Sequence, residues 1–156
     1  MAAEYSNNAL QTVEPGQAVV FSESPVPCSK GYVFHRDESG IFYLSSRGQK
    51  QYCCCGNVMT PEVLYEVGFH ANIQIPADGT ADTISLAISI GGEIDPSSTM
   101  SVTPAAVEEP FNVGAEVIVA VPAICGCTNV SVRNVGTEAI EVLNANIIFD
   151  TAGVRR

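Results

Sequence analysis

Residues 64–75 read LYEVGFHANIQI, and every second side chain is apolar. Tyr65, Val67, Phe69, Ala71, Ile73 and Ile75 alternate with Glu66, Gly68, His70, Asn72 and Gln74. A period of two puts the first set on one face of a β-strand and the second set on the other. The segment TISLAISI repeats the pattern, with Ile84, Leu86, Ile88 and Ile90 inward and Thr83, Ser85 and Ser89 outward. NVSVRNV (129–135) alternates again, and AIEVLNANIIF (139–149) is long enough for a further strand. EVIVAV (116–121) is apolar on both faces, as for a strand covered on both sides. Turn residues fall between these segments: Pro76-Ala77-Asp78-Gly79, Gly91-Gly92, Asp95-Pro96-Ser97-Ser98, Asn112-Val113-Gly114, Pro122 and Asn134-Val135-Gly136. No window carries a sustained helical stripe with caps. The chain is expected to be all-β, a sandwich or barrel of eight or more strands.

A chain of 156 residues fits one domain and can bury a core without covalent staples. It is 46% hydrophobic and only 15% charged, which suits a compact body and not a disordered one. Its net charge is −10, from 17 acids against 7 bases. A surface that grips a phosphate backbone needs clustered Lys and Arg, so direct nucleic-acid binding is disfavoured, and so is an anionic membrane surface. No apolar run approaches the length of a membrane span. MAAEYSNNALQTVEPG has neither a basic nor an apolar leader region, so synthesis and retention in a cytosol are expected.

That same opening segment is polar and rich in Asn. It reads as an extended arm, residues 1–15, ahead of a sandwich spanning 16–150, with a short basic tail at 151–156. Such arms commonly order only against a partner. Within it, Tyr5, Leu10 and Val13 are the candidate apolar anchors, and Asn7, Asn8 and Gln11 can bond a backbone edge.

The order of the strands is that of a known family. SGIFYLSSRG, LYEVGFHANIQIP, DTISLAISIGGE, the Val-rich stretch with its Asn turn, and AIEVLNANIIF together resemble the C1q/TNF-like jelly roll. VPCSKGYVFHRDESGIFYL, TPAAVEEPFNV and NANIIF are similar to short structural proteins of phages and prophages of gut Firmicutes. The resemblance covers about residues 16 to 150. It implies a compact homotrimer. It also implies a place on the outer capsid surface of a virion, as a head decoration protein made in the bacterial host cytoplasm. The expected partners are two further copies of the chain and the major capsid protein, reached by the arm through Tyr5, Asn7, Asn8, Leu10 and Val13. The alternative is a receptor- or glycan-binding head at a fibre tip or host surface. That reading calls for an exposed aromatic platform or a cation site.

The six cysteines are the chain's most unusual feature: Cys28, the run Cys53-Cys54-Cys55, and the pair Cys125-Gly126-Cys127. Neighbouring cysteines rarely bond each other, because the small ring is strained. Spacings of C-C-C and C-x-C fit no common zinc module. Three uses stay open for Cys53, Cys54, Cys55, Cys125 and Cys127: buried thiols, a metal site, or disulfides formed outside the cell. No cofactor is expected. Cysteine catalysis needs a base beside the thiol, and the chain has only His35 and His70. His35-Arg36-Asp37 imitates a kinase catalytic loop but reads as a charged turn. Glu93 with Asp95, and Glu108 with Glu109, read as solvated loops before they read as cation ligands. Phe111 is either an exposed contact or a plug in the core. No enzyme is expected, since no acid, base and nucleophile can be named together.

Overall fold

A computed structural model describes residues 2–28, 32–36, 38–46, 62–122 and 126–155, with side chains through 153. Its strands are β1 (Ala2–Asn7), β2 (Gln11–Val13), β3 (Glu23–Val26), β4 (Val33–His35), β5 (Phe42–Ser45), β6 (Glu62–Gln74), β7 (Ile84–Ile90), β8 (Glu93–Ile94), β9 (Met100–Val102), β10 (Phe111–Pro122), β11 (Cys127–Asn134) and β12 (Ile140–Arg155). The first sheet runs β10-β6-β12-β1-β3, with β2 also on β12; the second runs β4-β5-β11-β7-β8, with β9 also on β7. All the pairings are antiparallel.

The alternation of β6 is realised as the sequence demands. Val63, Tyr65, Val67, Phe69, Ala71 and Ile73 are buried, while Glu66 and His70 are exposed. From the second sheet, Ile84, Leu86, Ile88, Val130 and Val132 meet them. Each large aliphatic or aromatic side chain removed from water here contributes about 1.5–3 kcal/mol.

The opening residues are not an arm. β1 pairs with β12 from Ala2↔Asp150 to Asn7↔Ala145, and β2 pairs with β12 from Ile140↔Val13 to Val142↔Gln11. Tyr5 is only 6% exposed, with its ring centroid 4.9 Å from that of Phe42, 5.0 Å from His35 and 6.2 Å from Phe149. Val13 is 1% exposed. The polar side chains do bond backbone, but the chain's own. Asn7 Nδ2 donates to the Val20 carbonyl at 3.1 Å. Gln11 both donates to that carbonyl (2.9 Å) and accepts from the Val20 N–H (2.8 Å), as a strand residue would. The sandwich therefore starts at Ala2. The tail is likewise strand: β12 continues to Arg155 across a bulge at Gly153, with Val154↔Val63 and Arg155↔Glu62 in register.

Two further expectations fail. The turn at Asn112-Val113-Gly114 lies inside β10, where Asn112 donates to Asn72 Oδ1 at 3.2 Å. Gly114 is there for room: a Cβ would sit 2.6 Å from His70 Nδ1 on β6. EVIVAV is covered on one face only, so that Val119 and Val121 are buried while Ile118 is 57% exposed. By contrast, Gly91-Gly92 does turn the chain between β7 and β8, both residues having positive φ.

Tyr5→Ala should lower unfolding free energy in urea by about 3–5 kcal/mol, the cost of emptying an aromatic core position. Leu10→Ala, at an exposed loop position, should stay within about 0.5 kcal/mol. An arm would make both changes silent.

Candidate functional site

Of the five residues expected to reach a partner, Tyr5, Asn7 and Val13 are buried in the fold and only Asn8 and Leu10 remain exposed. Asn8 Nδ2 donates to Glu23 Oε2 at 3.3 Å. Leu10 stands 55% exposed at the β1–β2 turn.

Cys53, Cys54, Cys55 and Cys125 lie outside the described residues. Cys127 is exposed at the start of β11, opposite Ser45 of β5. Next to it Ser46 and Gly126 hold each other: Ser46 N–H donates to the Gly126 carbonyl at 3.2 Å, and Gly126 N–H donates to Ser46 Oγ at 3.3 Å. Cys28 is half-buried, and its Sγ accepts from the Val33 N–H at 3.4 Å. Among the described residues no three His, Cys, Asp or Glu side chains are grouped to hold a metal.

His35 is a packing residue. Its ring stacks on Phe42 with centroids 4.3 Å apart and planes at 15°, and its Nε2 bonds the Ser39 carbonyl oxygen at 2.9 Å. Arg36 is exposed, and Asp37 lies outside the described residues. His70 is exposed on the outer face of the first sheet. Asp95 caps a 3-10 turn, accepting from Ser97 N–H at 3.0 Å and Ser97 Oγ at 2.7 Å. Glu109 accepts from Ala105 N–H at 3.1 Å. Phe111 is neither plug nor exposed contact: it is half-covered at the start of β10, opposite Ile73.

Three surfaces stand out that the sequence reading did not name. The outer face of the first sheet exposes three aliphatic side chains set among polar ones. In register across the strands, Ile118 lies beside Glu66, and Ile148 lies beside Gly68 and Glu4. Ile118 is 57%, Ile148 41% and Leu143 37% exposed. On the outer face of the second sheet, Phe34 and Tyr43 are cross-strand partners, with rings 6.5 Å apart and Asn129 next in register. They are 58% and 41% exposed. The alternation of GIFYL already puts Tyr43 opposite in face to Phe42 and Leu44. Further along the same sheet, Arg133 borders an open concavity of about 500 Å³.

Tyr65 anchors the cysteine-bearing end of the sandwich. Its hydroxyl bonds the carbonyls of Ser45 and Tyr32. Burial raises its pKa above the ordinary phenol value, helped by the nearby Cys28 and Tyr32, against the opposing bond to Ser45. Tyr5 is raised as well, again mainly by burial.

No family model matches the chain, and no curated protein matches it. Solved structures do. The TNF protein Eiger from S. frugiperda superposes with a TM-score of 0.65 over 100% of this chain and 95% of its own, at 12% identity. The chain has the fold of a TNF-like jelly roll. A family 35 carbohydrate-binding module from Clostridium thermocellum matches over 94% of this chain and 97% of its own, at 14% identity and a TM-score of 0.36. The C-terminal domain of EclA, a sugar-binding protein, matches over 77% and 86%, at 13% and 0.33. Superpositions as loose as these last two carry no weight for fold or ligand. The first shows the fold alone.

A raised phenol pKa stabilises the fold below the unfolded value near 10, and that contribution is lost as pH climbs toward the folded value. Stability should therefore fall above about pH 10. Tyr65→Phe should flatten that alkaline slope while costing about 1 kcal/mol at neutral pH for the missing hydrogen bonds. Urea midpoints between neutral and alkaline pH, measured for both proteins, read this directly.

Proposed function

We propose that this protein is a structural component of a phage particle, a homotrimeric decoration protein on the outside of the capsid. The observation that supports the trimer is the exposure of three aliphatic side chains on the outer face of the first sheet. Ile118 on β10 and Leu143 and Ile148 on β12 are those side chains, with a break in register between the latter two. Large aliphatic side chains left exposed on one sheet face favour burial against another subunit. The family that the sequence resembles typically assembles as trimers.

A net charge of −10 supports a protein-binding role over a nucleic-acid role, and suits a high-copy surface protein that must stay soluble. Docking on the capsid cannot use a free arm, since the first strands are built into the sheet. The exposed Asn8–Leu10 turn is the remaining candidate from that segment, presented three times by a trimer. Three weak contacts on one body give avidity without a strong single site.

A second reading, a glycan-binding head, is favoured by one observation. Phe34 and Tyr43 form an exposed aromatic pair beside Asn129, whose amide is of the kind that hydrogen-bonds sugar hydroxyls.

Light scattering on the purified protein should give three times the 16.4 kDa chain mass. Ile118→Asp should shift it to monomer without unfolding it. A wild-type monomer at every concentration would remove the trimer reading. Purified particles carrying a labelled copy should show it on the shell exterior in negative stain. On a glycan array the capsid reading expects no binding; competable binding abolished by Phe34→Ala would install the second reading in its place.

A further inference from the structure

Arg133 is one of two arginines whose side chains are described in a strongly acidic chain, and nothing acidic pairs with it there. It lies on β11, facing outward and half-buried. Its Nε donates to Ser131 Oγ at 3.1 Å and its Nη1 to the Gly16 carbonyl at 3.1 Å. A guanidinium has five N–H donors, so three remain, including both on Nη2. Among the described residues no carboxylate forms an ion pair with it, although acids outnumber bases 17 to 7 in the chain. A half-buried cation that is held in place yet left without an anion is unusual, because desolvated charge is otherwise costly.

The surroundings are those of a built site. Arg133 lines the concavity of about 500 Å³ together with Gly16, Gly92, Ile94, Val135 and Gly136. That volume falls in the range of small-molecule sites. Its walls are pinned. Gly16 N–H donates to the Asn134 carbonyl at 2.8 Å, and Val135 N–H donates to the Ser85 carbonyl at 3.1 Å. The Asn134 amide, 1% exposed, donates to the carbonyls of Val13 (3.0 Å) and Glu138 (2.8 Å) and accepts from Gly136 N–H (2.9 Å). Ile94 and Val135, 38% and 39% exposed, supply aliphatic surface. A second oddity lies on the same sheet face. Ser89 is fully buried, stands opposite both Ser131 and Ile94 in register, and its hydroxyl has no hydrogen-bond partner among the described residues. Buried polar atoms nearly always have one.

We propose that this concavity is a binding site for a carboxylate that carries a branched aliphatic group. The free edge of the Arg133 guanidinium takes the carboxylate, whose planar pair of oxygens fits the fork. Ile94 and Val135 take the aliphatic part. The net charge of −10 repels polyanions, which selects a single carboxylate over a polyphosphate. Among the described residues no aromatic ring lines the concavity, which selects an aliphatic flank over a sugar ring. The same chemistry occurs in a free branched-chain acid and at the carboxy-terminus of a peptide ending in Leu or Val.

Amide NMR shifts of the intact protein, titrated with isovalerate, N-acetyl-leucine, N-acetyl-leucine methyl ester and glucuronate against a sodium chloride control, test this. Isovalerate and N-acetyl-leucine should move Gly16, Gly92, Val135 and Gly136 with millimolar affinity, and the ester should not. Tighter binding of N-acetyl-leucine points to a peptide terminus as the source; equal or weaker binding points to a free acid. Arg133→Gln should weaken the acids about tenfold or more. Arg133→Lys keeps charge and stem but loses the planar fork, and should weaken them severalfold even if the Gln variant folds poorly. Ile94→Ser should weaken them while leaving the fold intact. Absence of carboxylate-specific shifts, equal binding of the ester, equal binding of glucuronate, or undiminished affinity in the folded Lys variant would each overturn the proposal. If the variants lose stability and the wild type binds no carboxylate, Arg133 only ties the Gly16 turn to β11.

Discussion

The register between β6 and β12 is the constraint on which the rest of the molecule hangs. These are the two longest strands, and they pair from Glu141↔Gln74 to Arg155↔Glu62. A slip of one residue would turn Val67 and Phe69 outward and Glu66 and His70 into the core. Irregularities fall between Leu143 and Asn146 and between Thr151 and Gly153, and with the first of them Ile140 and Val142 on one side and Ala145, Ile147 and Phe149 on the other are all buried. One edge of β12 is taken by β6, and the other holds β1 and β2. The chain's first strand is thus placed by its last.

That closure explains why the N-terminal segment misleads a reader of the sequence. Ala2 to Val13 is polar enough to read as an arm, because its hydrogen-bonding side chains are counted as available. In the fold they complete the chain's own backbone: Asn7 and Gln11 bond Val20, and Asn134 bonds Val13. A polar side chain that satisfies a buried backbone group cannot be told from a solvated one by composition.

The molecule presents different chemistry on its two outer faces. The first sheet exposes Ile118, Ile148 and Leu143 among polar neighbours. The second sheet offers an aromatic pair at one edge and a caged guanidinium further along β11. These faces belong to opposite sides of the sandwich, so self-association on one leaves the other open. A protein that assembles through one sheet can still present a ligand site on the other.

Residue alternation put Ser89 outward on β7, where the structure buries it, as it also buries Ser131 on β11. By itself it determined that the chain is all-β, which face of β6 is buried, and where Gly91-Gly92 turns. Those are local consequences of a two-residue period, and no distant contact is needed to read them. Even the exposure of Tyr43 was legible in GIFYL. Tertiary structure alone decided the fate of the N-terminus, the interior place of Asn112 and Gly114 in β10, and the convergence of Gly16, Ile94, Arg133 and Val135 on one concavity. The four come from segments separated by up to 119 positions in the chain. Pairing across such separations depends on which strand edges are left open once the long central strands have found each other. A single sequence carries the pattern of each strand, but not the choice among the edges it could join.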